Sequence, residues 1–199
     1  MENYDVLKDV SERTGGDIYL GVVGPVRTGK STFIKRFMEE LVLPNIEDIH
    51  ERERAVDEMP QSGAGRTVMT AEPKFIPAEA VNIQVDDGIE MRVRLVDCVG
   101  YAVDGARGFD DEDGPRMVDT PWFEEPVSFA VAAETGTEKV ITEHSTIGVV
   151  VLTDGTFGDI PLEAYNPAAE RVIEELQELG KPFVIVVNSA DPDGETAQT

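Results

Sequence analysis

Gly24-Pro25-Val26-Arg27-Thr28-Gly29-Lys30-Ser31 meets the pattern G-x-x-x-x-G-K-[ST] at every specified position. Glycines at both ends admit backbone conformations that side chains avoid, so the loop can turn its N–H groups inward around phosphate oxygens. A helix opening at the end of the loop adds the positive end of its dipole. Lys30 then reaches the β- and γ-phosphates, and the Ser31 hydroxyl becomes a magnesium ligand. Arg27, inside the loop, either reaches the nucleotide or serves the loop's own structure.

A second constellation is Asp97-Cys98-Val99-Gly100. An acidic residue at the carboxyl end of a buried strand can hold magnesium, directly or through water, once a phosphate loop is present. Gly100 has no side chain to keep its N–H from the γ-phosphate. Residues 61–70 are rich in glycine and hydroxyls, as a first nucleotide-sensing segment would be. There Thr67 and Thr70 are the candidates for contact with magnesium and the γ-phosphate. Tyr101 stands where a water-orienting glutamine often follows D-x-x-G, so no general base is evident.

The elements that position these residues read as an alternating α/β chain. Residues 17–23 are a first strand, followed by the loop and a helix over 32–41 with Phe33, Phe37 and Leu41 on one face. The charge-rich stretch 45–59 reads as a surface helix or a mobile segment. Residues 80–85 alternate like a half-exposed strand, Asp86-Asp87-Gly88 signals a hairpin, and 91–96 is the partner strand leading to Asp97. Residues 101–120 read as a second mobile loop with a solvated acidic cluster, anchored afterwards by Trp122 and Phe123. Residues 129–144 have helical character, and 146–152 form an apolar strand suited to a parallel sheet. Residues 167–179 are an amphipathic helix with Val172, Ile173, Leu176 and Leu179 as its buried stripe. A last strand, 183–187, ends at Asn188. The expected domain is therefore 17–191, with a polar lead-in (1–16) and a loose tail (192–199).

Composition narrows the function. A chain of 199 residues, 41% hydrophobic, suits one folded α/β domain. With 17 basic against 40 acidic residues, the net charge of -23 speaks against gripping nucleic acid or anionic lipid by charge. A bound nucleotide must be held by a local positive site against that field, with magnesium offsetting part of it. The single cysteine, Cys98, permits no intramolecular disulfide and suits a cytoplasmic setting; with His50 and His144 it makes no zinc cluster without carboxylates. The first ten residues are polar rather than a signal peptide, and the longest apolar run, 147–152, is only strand-sized.

Phosphate loop, D-x-x-G and a strand-end asparagine, in that order, resemble the GTPase branch of P-loop proteins. The finer wording is similar to the stage IV sporulation protein A family, the spore-coat morphogenetic ATPases of endospore-forming bacteria. It is carried by Gly15 to Gly24, Val26 to Phe33, Leu95 to Tyr101, Gly114-Pro115-Arg116-Met117, and Glu143 to Val149. The resemblance implies a three-layer P-loop NTPase fold with a mostly parallel sheet and one antiparallel hairpin strand. It implies ATP and magnesium as cofactors, with Lys30, Asp97 and Thr70 in catalysis and Ser31, Thr70 and Asp97 on the metal. Gly24, Arg27, Thr28, Gly29, Lys30, Ser31, Thr32, Gly100 and Asn188 would line the nucleotide. The family polymerises into a layer on the forespore surface, in the mother-cell cytoplasm, with other spore-coat morphogenetic proteins as partners and no nucleic acid. Two departures stand out. Ser189 replaces the lysine that an N-K-x-D guanine reader packs on the base, which favours ATP, although Asn188 and Asp191 remain. The chain also stops before the last strand and helix of a complete G-domain, so contact with the forespore membrane would run through regions or partners outside it. The alternatives are a nucleotide-binding structural protein with negligible turnover, and a GTPase.

Overall fold

A computed structural model describes residues 16–60, 71–85, 89–111, 113–194 and 197. The lead-in up to residue 15, Thr67, Thr70, the Asp86-Asp87-Gly88 turn and most of the last five residues lie outside them. The fold is α/β, built on a five-stranded sheet whose strands lie, from one edge to the other, in the order Lys74–Val85, Ile89–Asp97, Asp17–Val23, Ile147–Thr153 and Phe183–Asn188. Strands β1 (Asp17–Val23), β3 (Ile89–Asp97), β8 (Ile147–Thr153) and β9 (Phe183–Asn188) are parallel neighbours in that sheet. Strand β2 (Lys74–Val85) is antiparallel to β3 at one edge.

Strand alternation sends side chains to two cores, as a sheet covered on both faces requires. Ile18 and Val22 of β1, Val93 and Leu95 of β3, and Val149 and Val151 of β8 face one core. Val23, Val96 and Val150 face the other. Helix α1 (Lys30–Phe37), extended by a π-helical turn over Met38–Val42, covers the first. Its fully buried residues are Ile34, Met38 and Val42. The expected stripe Phe33, Phe37 and Leu41 is one position off. Phe33 and Phe37 flank the core, and Leu41 is 45% exposed. Helix α2 (Ile49–Glu58) is a surface helix, capped by Asp48, whose carboxylate accepts the His50 and Glu51 N–H groups.

The second core lies under α3 (Phe129–Lys139), its π-helical extension Val140–His144, and α4 (Asn166–Glu178). Val172 and Leu176 of α4 are fully buried, but Leu179, just past the helix end, is 52% exposed and drops out of the expected stripe. Residues 101–128 carry more structure than a loop. They form two short ladders, β4 (Asp110–Asp111) with β5 (Gly114–Pro115) and β6 (Met117–Val118) with β7 (Val127–Ser128). Phe109 and Val103 anchor this stretch, while Phe123, expected to do so, is 39% exposed. No helix among the described residues is long and apolar enough to cross a membrane.

Lys181 closes the end of the α3 extension. Its ammonium donates to the Ile141 carbonyl and to the Ser145 carbonyl at 2.7 Å, terminal acceptors that the helix itself cannot pair. Burial lowers its pKa. Lys181→Ala leaves those acceptors short of a donor and is expected to cost about 2 kcal/mol in chemical denaturation. Unchanged stability would mean that water replaces the ammonium without loss.

Candidate functional site

The phosphate loop joins β1 to α1 at the carboxyl end of the sheet. Gly29, the residue before α1, has φ 98, and Arg27 has φ 62, in the left-handed region that side chains seldom enter. A Cβ at Gly29 would collide with the Asn188 amide. That amide instead donates to the Thr28 carbonyl at 3.1 Å. Asn188, at the end of β9, thus braces the loop from two strands away.

The loop's side chains divide between lining and support. Thr28 is fully buried, and its hydroxyl donates to the Pro25 carbonyl at 3.0 Å. The Arg27 side chain is exposed and donates to the Arg107 carbonyl at 3.3 Å. Ser31 is half-buried and Thr32 exposed on the first turn of α1. Lys30 is 5% exposed; its ammonium donates to the Pro25 carbonyl at 2.6 Å and the Gly24 carbonyl at 3.4 Å. Burial lowers its pKa, against the opposing pull of Cys98 and Asp97. A lysine held this way is the only cation inside the loop apart from the outward-turned Arg27.

Asp97 arrives beside it because β3 runs parallel to β1, with Asp97 in register with Val22. Burial pushes its carboxyl up to about 6, while Lys30, the Cys98 N–H and Lys74 pull the other way. Its Oδ1 is shielded from solvent and has no hydrogen-bond partner. A hard divalent cation fits such an orphaned oxygen. Among the described residues no group of three or more His, Cys, Asp or Glu side chains gathers as a metal cage. A magnesium ion held through one carboxylate, the Ser31 hydroxyl, phosphates and water suits that sparse donor set. Cys98 beside it is buried, its thiol pushed up to about 11 by burial, and is inert.

Gly100 has φ 97, and a Cβ there would strike the Gly24 carbonyl and the Lys30 ammonium. The next residue, Tyr101, stitches the two loops together: Val26 N–H donates to its carbonyl at 2.9 Å, and its own N–H donates to the Gly24 carbonyl at 3.3 Å. Its ring runs into the core beneath, where the hydroxyl donates to Glu175 of α4 at 2.5 Å. The Arg171 guanidinium lies 4.2 Å from the ring centroid and pairs with Glu175 and Glu134. At the far side, the Asp154 carboxylate accepts from the Thr156 N–H at 3.0 Å and the Thr156 hydroxyl at 2.6 Å. That hydroxyl accepts the Ala190 N–H at 2.9 Å, which fixes the loop after Asn188.

The structure thus brings together Gly24, Gly29, Lys30, Ser31, Asp97, Gly100 and Asn188. Arg27 and Thr32 stand at the rim, and Thr70 is outside the described residues. Sequence reasoning passed over Tyr101 as a clamp, Asp154 as the support of the Asn188 loop, and Thr137, whose hydroxyl meets the Gly100 N–H. The one available signal for Thr137 was the Gly136-Thr137 pair inside an otherwise alanine-rich helix.

The family model described as stage IV sporulation protein A, ATPase domain, matches residues 1–199. Stage IV sporulation protein A of Bacillus subtilis (strain 168) is 65% identical over 192 residues, and that of Bacillus anthracis 64% over 192 residues. In both cases the match covers 96% of this chain and 39% of the relative. The protein of the same name from Clostridioides difficile (strain 630) is 54% identical over 193 residues, 97% of this chain and 39% of the relative. The chain therefore spans about two-fifths of the length of these curated relatives.

Proposed function

Because the chain belongs to the stage IV sporulation protein A family, as its ATPase domain, we propose that it binds ATP with magnesium and hydrolyses it. In the full-length protein that hydrolysis drives self-assembly of a spore-coat basement layer at the forespore surface, in the mother-cell cytoplasm, together with other coat morphogenetic proteins. The observation that carries the catalytic reading is a buried loop lysine, Lys30, within electrostatic reach of Asp97, one of whose carboxylate oxygens is shielded and without a hydrogen-bond partner. The loop's backbone binds phosphate, and Asn188 holds that backbone in shape. Lys30 exchanges the Pro25 and Gly24 carbonyls for phosphate oxygens, and its charge grows in worth inside a buried site. Asp97 and Ser31 hold magnesium, which neutralises charge on the phosphates when bound.

A second reading has one observation in its favour. Tyr101 turns its hydroxyl to Glu175, so the position after D-x-x-G offers no group to orient water. On that reading the chain binds nucleotide and turns it over negligibly. The deciding measurement is hydrolysis of ATP and GTP side by side, with and without magnesium. Magnesium-dependent ATP turnover above that of GTP is expected. Tight ATP binding without turnover would favour the second reading, and a preference for GTP would overturn both.

A further inference from the structure

Helix α3 touches the backbone of two other segments, at Ala71 and at Gly100. Gly136 packs against the Ala71 carbonyl so closely that a Cβ would overlap it. Thr137, the next residue, is polar and fully buried. Its hydroxyl donates to the Ala133 carbonyl, one turn back, at 2.8 Å. With that proton committed, the oxygen can only accept on its other side, and there it takes the Gly100 N–H at 3.1 Å. Gly100 also abuts Lys30 and the Gly24 carbonyl, so the amide held by Thr137 lies at the phosphate end of the site.

Resting on the ATP reading above, we infer that Thr137 is a positioning residue that sets the preference for triphosphate over diphosphate. It holds the Gly100 N–H when no γ-phosphate is present and yields it to a γ-phosphate oxygen when one is. The freedom of glycine at φ 97 lets the peptide turn between the two acceptors. A buried amide left without an acceptor is costly. With Thr137 in place the amide is paired in both states, and the triphosphate gains only the difference between an anionic oxygen and a hydroxyl. Without that hydroxyl, the amide keeps only the Cys98 sulfur, a weak acceptor, whenever no γ-phosphate is bound. The ligand that rescues it must then bind relatively more tightly.

The test is calorimetric binding of ADP and of the β,γ-imido analogue of ATP, with magnesium, to the chain and to Thr137→Val and Thr137→Ser. The valine variant should raise the ratio of the ADP to the analogue dissociation constant about ten-fold. The serine variant, which restores the acceptor, should keep the parental ratio within about two-fold. An unchanged ratio in Thr137→Val, or an equal shift in both variants, overturns the inference while the ATP reading stands. If the parent chain binds neither adenine nucleotide, both fall. Should Thr137→Val not fold, the Gly100 amide proton of the parent decides. It should move downfield with the analogue relative to ADP, and identical shifts overturn the inference.

Discussion

Replacing Lys30 by methionine is expected to lower ATP turnover by about a thousand-fold while leaving the chain folded, read as steady-state hydrolysis beside a thermal melt. The loss follows from place and charge. Lys30 is the one cation buried within the loop, and removing a preorganised charge-stabilising donor from a site of this kind costs about 10²–10³ in rate or more. The fold survives because neither carbonyl that Lys30 serves becomes an orphan. Pro25 O still accepts the Thr28 hydroxyl, and Gly24 O still accepts the Tyr101 N–H. Methionine keeps the apolar stem, and a buried ammonium already disfavoured by desolvation is no loss to stability. Arginine would be a poor control, since its planar fork needs room that Gly24 and Gly100 deny it. A melting temperature lowered by more than about 10 °C would mean that Lys30 is a structural strut, and the rate loss could not then be assigned to its charge.

What the sequence revealed and what it hid divide along a physical line. The phosphate loop and the ends of β1, β3 and β8 were legible because they rest on local rules: glycine where φ is positive, and an apolar run where a strand is covered on both faces. The register of α1 was not. Phe33-Phe37-Leu41 and Ile34-Met38-Val42 both repeat every four residues, and only the sheet decides which stripe it accepts. The aromatic pair, its rings 6.0 Å apart, ends up flanking that core. The start of β2 was hidden as well. Its ladder breaks between Ile76 and Val81, and Arg94 serves the interrupted stretch through the Pro77 carbonyl at 3.2 Å. The Tyr101 clamp depends on Glu175, 74 residues away, and no local pattern announces a contact of that span. The same holds for Thr137. A threonine inside a helix reads as neutral until the chain brings Gly100 to it, 37 residues distant in sequence.

Asp97→Asn is expected to stabilise the nucleotide-free chain while removing its response to magnesium. The carboxyl titrates near 6 in the fold, above its ordinary value of 3.8, because burial outweighs the help of Lys30, the Cys98 N–H and Lys74. Between those two values the folded chain binds more protons than the unfolded chain. Its stability therefore falls as pH rises from about 4 to about 6 and levels off above. Asparagine carries no charge to desolvate, so the variant should lose that slope and gain about 2 kcal/mol at neutral pH. A cation needs the ionised carboxylate, and the proton competes for the same oxygen. Magnesium-dependent turnover of the parent should accordingly decline below pH 6, and the variant should lack it at every pH. Denaturant melts from pH 4 to 8, beside ATP hydrolysis with and without magnesium over the same range, read the two effects. A variant that is less stable than the parent at pH 7 would show that Asp97 is anchored by Lys30 and Lys74 rather than held in reserve for a metal. A variant that gains stability yet keeps magnesium-dependent turnover would move the metal to other ligands. The expected pair of results, a gain in stability with a loss of magnesium response, is what a carboxylate kept unpaired for a cation should give: its cost falls on the empty fold and its return comes only with the ligand.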